Sequence, residues 1–390
     1  MSIKFRPSLE LIAHARIAQG ILYTFDLEDL KRTFLEESKG PGDTEYIQPI
    51  AKKISEIVLP TYCETFSCLT APRRKPEDLI IVPLPPAVKK QLKGIVIALG
   101  LEIKQWFECH RFIVRRDHHD LRNKLSWFSF GVIDQLETAR NFIHDEDWDI
   151  GERFHLACKY CFEDDVQMMW SNMTTQKRSY AMRRLPRTRS IVLWLETLHR
   201  NIPRNWAEIS VNERRNFFSG NYLGIRSYFP KLRHPEIRYQ CIYFALERGV
   251  VHHYDLYSCI FLLSATELND LITRLPTTEF CELFKYFSQW PFQIIFLDIV
   301  NYFKQHISQD IFLGVVTFML KRELGWRFQD HMYREIFKPF WNLFSAKYED
   351  CIKKVKMYAL AQYVLDRSQD YDVGKYRHLL DLYFSDNTLE

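Results

Sequence analysis

Residues 278–303 read TEFCELFKYFSQWPFQIIFLDIVNYF, and their spacing decides the fold class. Phe280, Leu283, Phe284 and Phe287 fall at i, i+3, i+4 and i+7, the stripe of a helix that lays one face on a core, and Pro291 then stops it. From Phe292 to Phe303 only Gln293, Asp298 and Asn301 interrupt the apolar run. The second helix is therefore expected to have a narrow polar edge and to be buried on most sides, as the inner member of a stack would be.

Outward from this stretch the same pattern continues. Beyond Gly151 the chain reads as pairs of helices separated by short turns, with Ser-x-x-Glu start signals at Ser210/Glu213 and Ser264/Glu267. Each is a capping box, in which side chains satisfy backbone N–H groups that have no partner inside the helix. Toward the N-terminus, Leu9, Ile12, Ala13, Ile17, Ile21 and Leu22 form another helical stripe, and LEDLKRTFLEESK stops at Gly40-Pro41-Gly42. The run APRRKPEDLIIVPLPPAVKK carries five prolines, which marks residues 71–88 as a linker. The expected organisation is a helical segment over 1–70, the linker 71–88, a helical segment over 89–150 closed by the acidic corner DEDWDIGE, and a helical repeat array over 151–390. The fold class is all-α: a helix-hairpin array of α-solenoid type behind a helical N-terminal region.

Composition agrees. At 390 residues the chain exceeds the roughly 250–300 at which single cores stop growing. With 29 Phe, 20 Tyr and 9 Trp against 13 Gly it has ample material for a core, which excludes a disordered chain. Nine cysteines, odd in number and scattered, follow an N-terminus that mixes Arg, Glu and His among its apolar residues. This points to a reducing compartment, the cytoplasm or nucleus. The apolar stretch Ile311–Leu320 is about half the roughly 20 residues needed to span a bilayer, so no membrane association is expected.

One internal match occurs, at an offset of about 84 residues: Arg153–Val166 lies over Ile237–Val250 and pairs Tyr160 with Phe244, Cys161 with Ala245 and Glu163 with Glu247. Twice a period of about 42 accounts for it. Within the match, FHLACKYCFEDDVQMMW (Phe154–Trp170) resembles one unit of the ankyrin-repeat family. His155 and Ala157 stand where that pattern has its histidine and alanine, and Glu163-Asp164 fall in its polar inter-helix turn. Val166, Met168, Met169 and Trp170 replace its second-helix aliphatics. Glu152-Arg153 stand in place of its threonine-proline start, Cys161 in place of its turn glycine, and no second copy follows about 33 residues later. The resemblance implies helix pairing and a protein-binding scaffold without cofactor.

Three constellations bear on chemistry. His155-x-x-Cys158-x-x-Cys161 has zinc-like ligands, but one helix brings at most two of them together and no second ligand pair completes a tetrahedral set. They are read as packing residues, with His155 bonded to a neighbouring turn. Asp117-His118-His119-Asp120 resembles the DHH signature of a phosphoesterase family, and His252-His253-Tyr254-Asp255 does so less closely. Such enzymes are α/β proteins, and this chain lacks strand–helix alternation, so both His pairs are expected in exposed turns. No phosphate-binding loop, dinucleotide fingerprint, nucleophile elbow or HExxH motif is present. No catalytic residue, metal ligand or cofactor is therefore assigned, and the chain is read as a non-enzyme.

The third is charge. From Lys177 to Arg238, 14 Lys and Arg face four Asp and Glu, a local balance of about +10 in a chain of net +4. Lys177, Arg178, Arg183, Arg184, Arg187 and Arg189 form a basic patch without an acid. Further arginines interleave with Trp206, Phe217, Phe218, Tyr222, Tyr228 and Phe229. Such interleaving suits a nucleic-acid backbone with bases stacked on rings. The competing expectation is that these cations neutralise the acidic corner at Asp145–Glu152 and Glu163–Asp165. The function expected is a protein-interaction scaffold whose partner is another protein, with nucleic-acid binding through 177–238 as the alternative.

Overall fold

Side chains that accept a backbone hydrogen bond start many of the helices. Ser8, Asp134, Asp149, Ser264 and Ser308 accept from the backbone N–H of Leu11, Glu137, Gly151, Glu267 and Ile311 respectively. The computed structural model describes residues 4–26, 47–56, 58–61, 80–110, 121–184, 189–200, 206, 211–320, 331–353, 357–366, 375–376 and 378–380. At Ser264 the box is complete, because the Glu267 carboxylate also accepts from the Ser264 N–H at 2.8 Å. The second expected box begins at Ser210, outside the described residues.

The described chain is helical nearly throughout, and its helices pack both on neighbours in sequence and on more distant elements. Leu9–Tyr23 lies along the long helix Pro86–His110, Gln135–Ile143 on Ile150–Tyr160, and Ile150–Tyr160 on Glu163–Asn172. Farther on, Val211–Gly220 packs on Pro235–Arg248, Thr277–Phe287 on Gln309–Thr317, and Phe296–Tyr302 on His331–Phe344. One continuous core of buried side chains runs through them, from Leu11 to Leu380. Its largest sealed members include Trp106, Phe142, Phe154, Trp194, Tyr228 and Phe284. Each such apolar side chain contributes about 1.5–3 kcal/mol relative to exposure.

The boundary expected at Gly151 is crossed by this core and by longer contacts. The Pro86–His110 helix touches His331–Phe344, and the Phe5 N–H donates to the Tyr257 hydroxyl at 2.8 Å. The expected linker is also corrected. Residues 80–83 form a strand, Ile80–Pro83, antiparallel to Val58–Thr61 with Val58 opposite Pro83 and Thr61 opposite Ile80. Pro86 opens a helix, where its fixed φ and missing N–H cost nothing. The β-branched run Ile80-Ile81-Val82 favours a strand and the prolines only bound it. Residues 71–79 lie outside the described residues.

Two finer expectations fail for local reasons. The apolar run after Pro291 begins as a 3₁₀ turn, Phe292–Ile295, before the α-helix Phe296–Tyr302. The tighter winding turns Gln293 inward and leaves Ile294 50% exposed, so the polar edge does not start at Gln293. The 84-residue match also pairs unlike backbone. Cys161 has φ 55° and ends the Ile150–Tyr160 helix, whereas its counterpart Ala245 is inside Pro235–Arg248, which ends at Gly249 with φ 63°. The stretch Phe154–Trp170 falls on the helices Ile150–Tyr160 and Glu163–Asn172, with Glu163 and Asp164 in the first turn of the second helix and not in the turn between them. Their charges suit the positive end of that helix's dipole.

Candidate functional site

The long helix Pro86–His110 carries three buried residues at steps of four, Glu102, Trp106 and His110, on a face otherwise made of aliphatic side chains. Glu102 and His110 of this row each meet buried polar groups from other helices. Glu102 lies opposite the start of the helix His253–Phe261. His252 Nε2 stands 3.0 Å from Oε2 and 3.3 Å from Oε1 of Glu102, and His253 Nε2 stands 3.7 Å from Oε1. The Ile133 N–H donates to Oε2 at 3.3 Å. All three side chains are sealed: Glu102 and His252 are 6% exposed and His253 is 3%.

His252 is held by its own helix. Its Nδ1 accepts from the Tyr254 N–H at 3.3 Å as the N-cap, which places the ring proton on Nε2, facing Glu102. Burial pushes the Glu102 carboxyl up, but His252, His253 and the Ile133 amide outweigh it and leave Glu102 below its ordinary value. Burial pushes His252 down, and the Glu102 carboxylate overrides it, so His252 sits above its ordinary value.

One helical turn on, Asp255 is 1% exposed and its Oδ1 is 3.5 Å from Arg226 Nε. Arg226 also pairs with Asp134, the cap of Gln135–Ile143, and its guanidinium lies over the Phe128 and Tyr254 rings. Burial raises Asp255 and Arg226 only partly offsets it. At the other end of the row, His110 donates from Nδ1 to the Trp106 carbonyl at 2.5 Å. Its Nε2 is 2.8 Å from the Tyr160 hydroxyl, which is 3.1 Å from Gln135 Oε1. Burial drives His110 to about 4, so this imidazole is neutral.

The expectation that His252-His253 sits in an exposed turn is therefore corrected, because these rings are inside the protein. Asp117-His118-His119-Asp120 lies outside the described residues. The cluster was hidden from sequence reasoning by distance, since Glu102, Asp134, Arg226 and His252 come from four separated segments. The available signal was the single acid in the apolar run GIVIALGLEIKQWF. Among the described residues, Glu102, His252 and His253 are the group of three ligand-type side chains close enough to hold one metal ion, their ligand atoms lying within 4.8 Å of one another. His155, Cys158 and Cys161 are all buried, and His155 Nε2 has no hydrogen-bond partner, so the expected bond to a neighbouring turn is not made by that nitrogen.

The basic segment is distributed differently from the expectation. Lys177 is exposed. Arg178 packs over the Trp170 ring at 4.8 Å and donates to the Trp170 carbonyl at 2.8 Å, closing the end of Glu163–Asn172. The side chains of Arg183, Arg184, Arg187 and Arg189 lie outside those described. Beyond them, Lys231 pairs with Glu163, Arg215 with Glu247 at 3.0 Å, Arg226 with Asp134, and Arg238 with Glu267 at 2.9 Å. Only Glu163 of these acids belongs to the expected acidic corner. Asp145 is taken by Lys124 at 2.7 Å and Asp165 by His144 at 3.2 Å. The interleaved aromatics are core: Trp206, Phe217, Phe218, Tyr228 and Phe229 are buried, with Trp206 stacked on Tyr228 at 5.5 Å.

The chain matches no protein-family model, no curated protein and no solved structure. Among the described residues, no helix is long and apolar enough to cross a membrane.

Proposed function

We infer that the protein is a non-catalytic interaction protein that binds another protein through the outer faces of its stacked helix pairs. The observation that carries this reading is the use made of the 177–238 segment. Four of its cations, Arg215, Arg226, Lys231 and Arg238, pair with acids of the same chain, Arg178 lies on Trp170, and Trp206, Phe217, Phe218, Tyr228 and Phe229 are buried in the core. A surface that reads phosphates needs uncommitted cations and exposed rings. The ankyrin-like pairing of Ile150–Tyr160 with Glu163–Asn172 supports the same class by analogy of fold alone. Cys109, Cys158, Cys241, Cys259 and Cys281 carry free thiols, which supports the cytoplasm or nucleus as the setting.

The alternative, nucleic-acid binding, keeps one supporting observation, the local charge balance of about +10. One experiment separates them. Tagged full-length protein is used to capture a partner with and without nuclease, and the captured protein is then made separately and mixed with it on a sizing column. A stoichiometric complex that forms without nucleic acid and survives about 200 mM salt supports the interaction reading. Capture that nuclease abolishes, with nucleic acid eluting in its place, overturns it.

A further inference from the structure

We propose that Glu102, His252 and His253 bind one divalent first-row transition metal ion, of the zinc or ferrous class, which ties the Pro86–His110 helix to the start of His253–Phe261. Four observations carry this. The donor set is two imidazoles and one carboxylate, which suits these ions and neither calcium nor magnesium. The donors are preassembled within 4.8 Å, on the middle of one helix and the first turn of another, with contacts of 3.0, 3.3 and 3.7 Å that shorten little on closing around an ion.

The two rings are also adjacent: the His252 and His253 centroids are 4.2 Å apart with planes tilted by 34°, so both can serve one ion. The Ile133 amide on Oε2 is the kind of outer contact that fixes a ligating carboxylate and leaves Oε1 toward His253.

Charge points the same way. Glu102 and Asp255 are two buried carboxylates; Arg226, the fixed cation beside Asp255, is shared with Asp134, and Glu102 has the imidazoles of His252 and His253 beside it. Buried charge of one sign is costly unless balanced, and a divalent ion balances it. Binding moves one proton: His252 keeps a single ring proton, which shifts from Nε2 to Nδ1, so the cap bond from the Tyr254 N–H is given up. The loss of a cap is small beside the affinity of a three-ligand site, so the ion wins.

The test uses full-length protein stripped with EDTA, titrated with Zn²⁺ and separately with Co²⁺. It is read by metal content after gel filtration and by the Co²⁺ ligand-field absorption. One equivalent is expected to bind. His253→Ala is expected to weaken binding at least about tenfold with an unchanged far-ultraviolet circular dichroism spectrum. If His253→Ala does not fold, Glu102→Gln serves, because its amide oxygen still accepts from His252 but no longer offers a charged ligand. Cys158→Ser with Cys161→Ser is expected to retain the full equivalent. Folded wild-type protein that takes up neither ion would overturn the proposal. So would uptake unaltered in the His253 or Glu102 variant, or uptake abolished by the cysteine changes.

Discussion

His252 Nε2 lies 3.0 Å from Glu102 Oε2, joining residues 150 positions apart inside a sealed core. The contact holds the N-terminal helices to the middle of the chain, and its loss leaves a buried partner unmatched. Glu102→Ala is expected to lower stability by about 3–5 kcal/mol. Glu102→Gln keeps an acceptor for the His252 proton and is expected to cost clearly less. Urea unfolding at neutral pH compares them, and equal losses would show that the hydrogen bond contributes nothing.

The buried histidines set the acid limb of stability. Burial drives His110 to about 4 and His155 to about 3, against about 6.5 in an unfolded chain. Both are neutral in the fold, so below about 6.5 the unfolded state holds more protons. Their stability is present above that pH and falls as pH drops toward 4, by about 1.4 kcal/mol per unit for each histidine. His252 runs the other way, since its folded value is raised: what it contributes is present below about 6.5 and is lost as pH rises. His155→Leu also removes a buried nitrogen with no partner. It is expected to raise stability by about 1 kcal/mol or more at pH 7 and to flatten the slope between pH 6 and pH 4, read from urea midpoints. An unchanged slope would show that His155 is not neutral in the fold.

Arg226 bridges Asp134 and buried Asp255, so it matters more as a partner than as a charge. Arg226→Met is expected to cost about 3–5 kcal/mol, because Asp255 is left buried and unmatched. Adding Asp255→Asn is expected to restore much of that loss. A double-mutant cycle by chemical denaturation measures the coupling, and strictly additive losses would contradict the bridge.

Gly224 is where two elements meet backbone to backbone. A Cβ there would stand 2.7 Å from both the Tyr160 carbonyl carbon and oxygen and 2.9 Å from the Lys159 oxygen. No side chain can rotate away to relieve this. Gly224→Ala is therefore expected to destabilise by about 1–3 kcal/mol with an unaltered denaturant slope, whereas Gly220→Ala meets open space and is expected to stay within about 0.5 kcal/mol.

Helix type and many boundaries were legible because they depend on local chemistry. The stripe Phe280, Leu283, Phe284, Phe287 is buried as its spacing requires, and Ser264 with Glu267 closes the box that its spacing announces. What was not legible depends on winding and on distance. Gln293 turns inward because its turn is 3₁₀, a difference of 0.6 residue per turn that spacing does not reveal. His252 and His253 look like turn residues because their partner, Glu102, is supplied by a helix far back in the chain. The rings among the arginines are core rings, since aromatic side chains beside charge read alike whether they face bases or other helices.

The central claim is that the basic segment serves the chain's own acids and that the protein recognises protein, not nucleic acid. Fluorescence anisotropy with single-stranded and duplex oligonucleotides at about 50 and 200 mM salt tests it most directly. The account predicts no sub-micromolar binding at either concentration. It also predicts that the variant with Arg183, Arg184, Arg187 and Arg189 all changed to Ala loses no more than about 1 kcal/mol of stability per site. Sub-micromolar binding that weakens by orders of magnitude across that salt range and vanishes in the quadruple variant would contradict it.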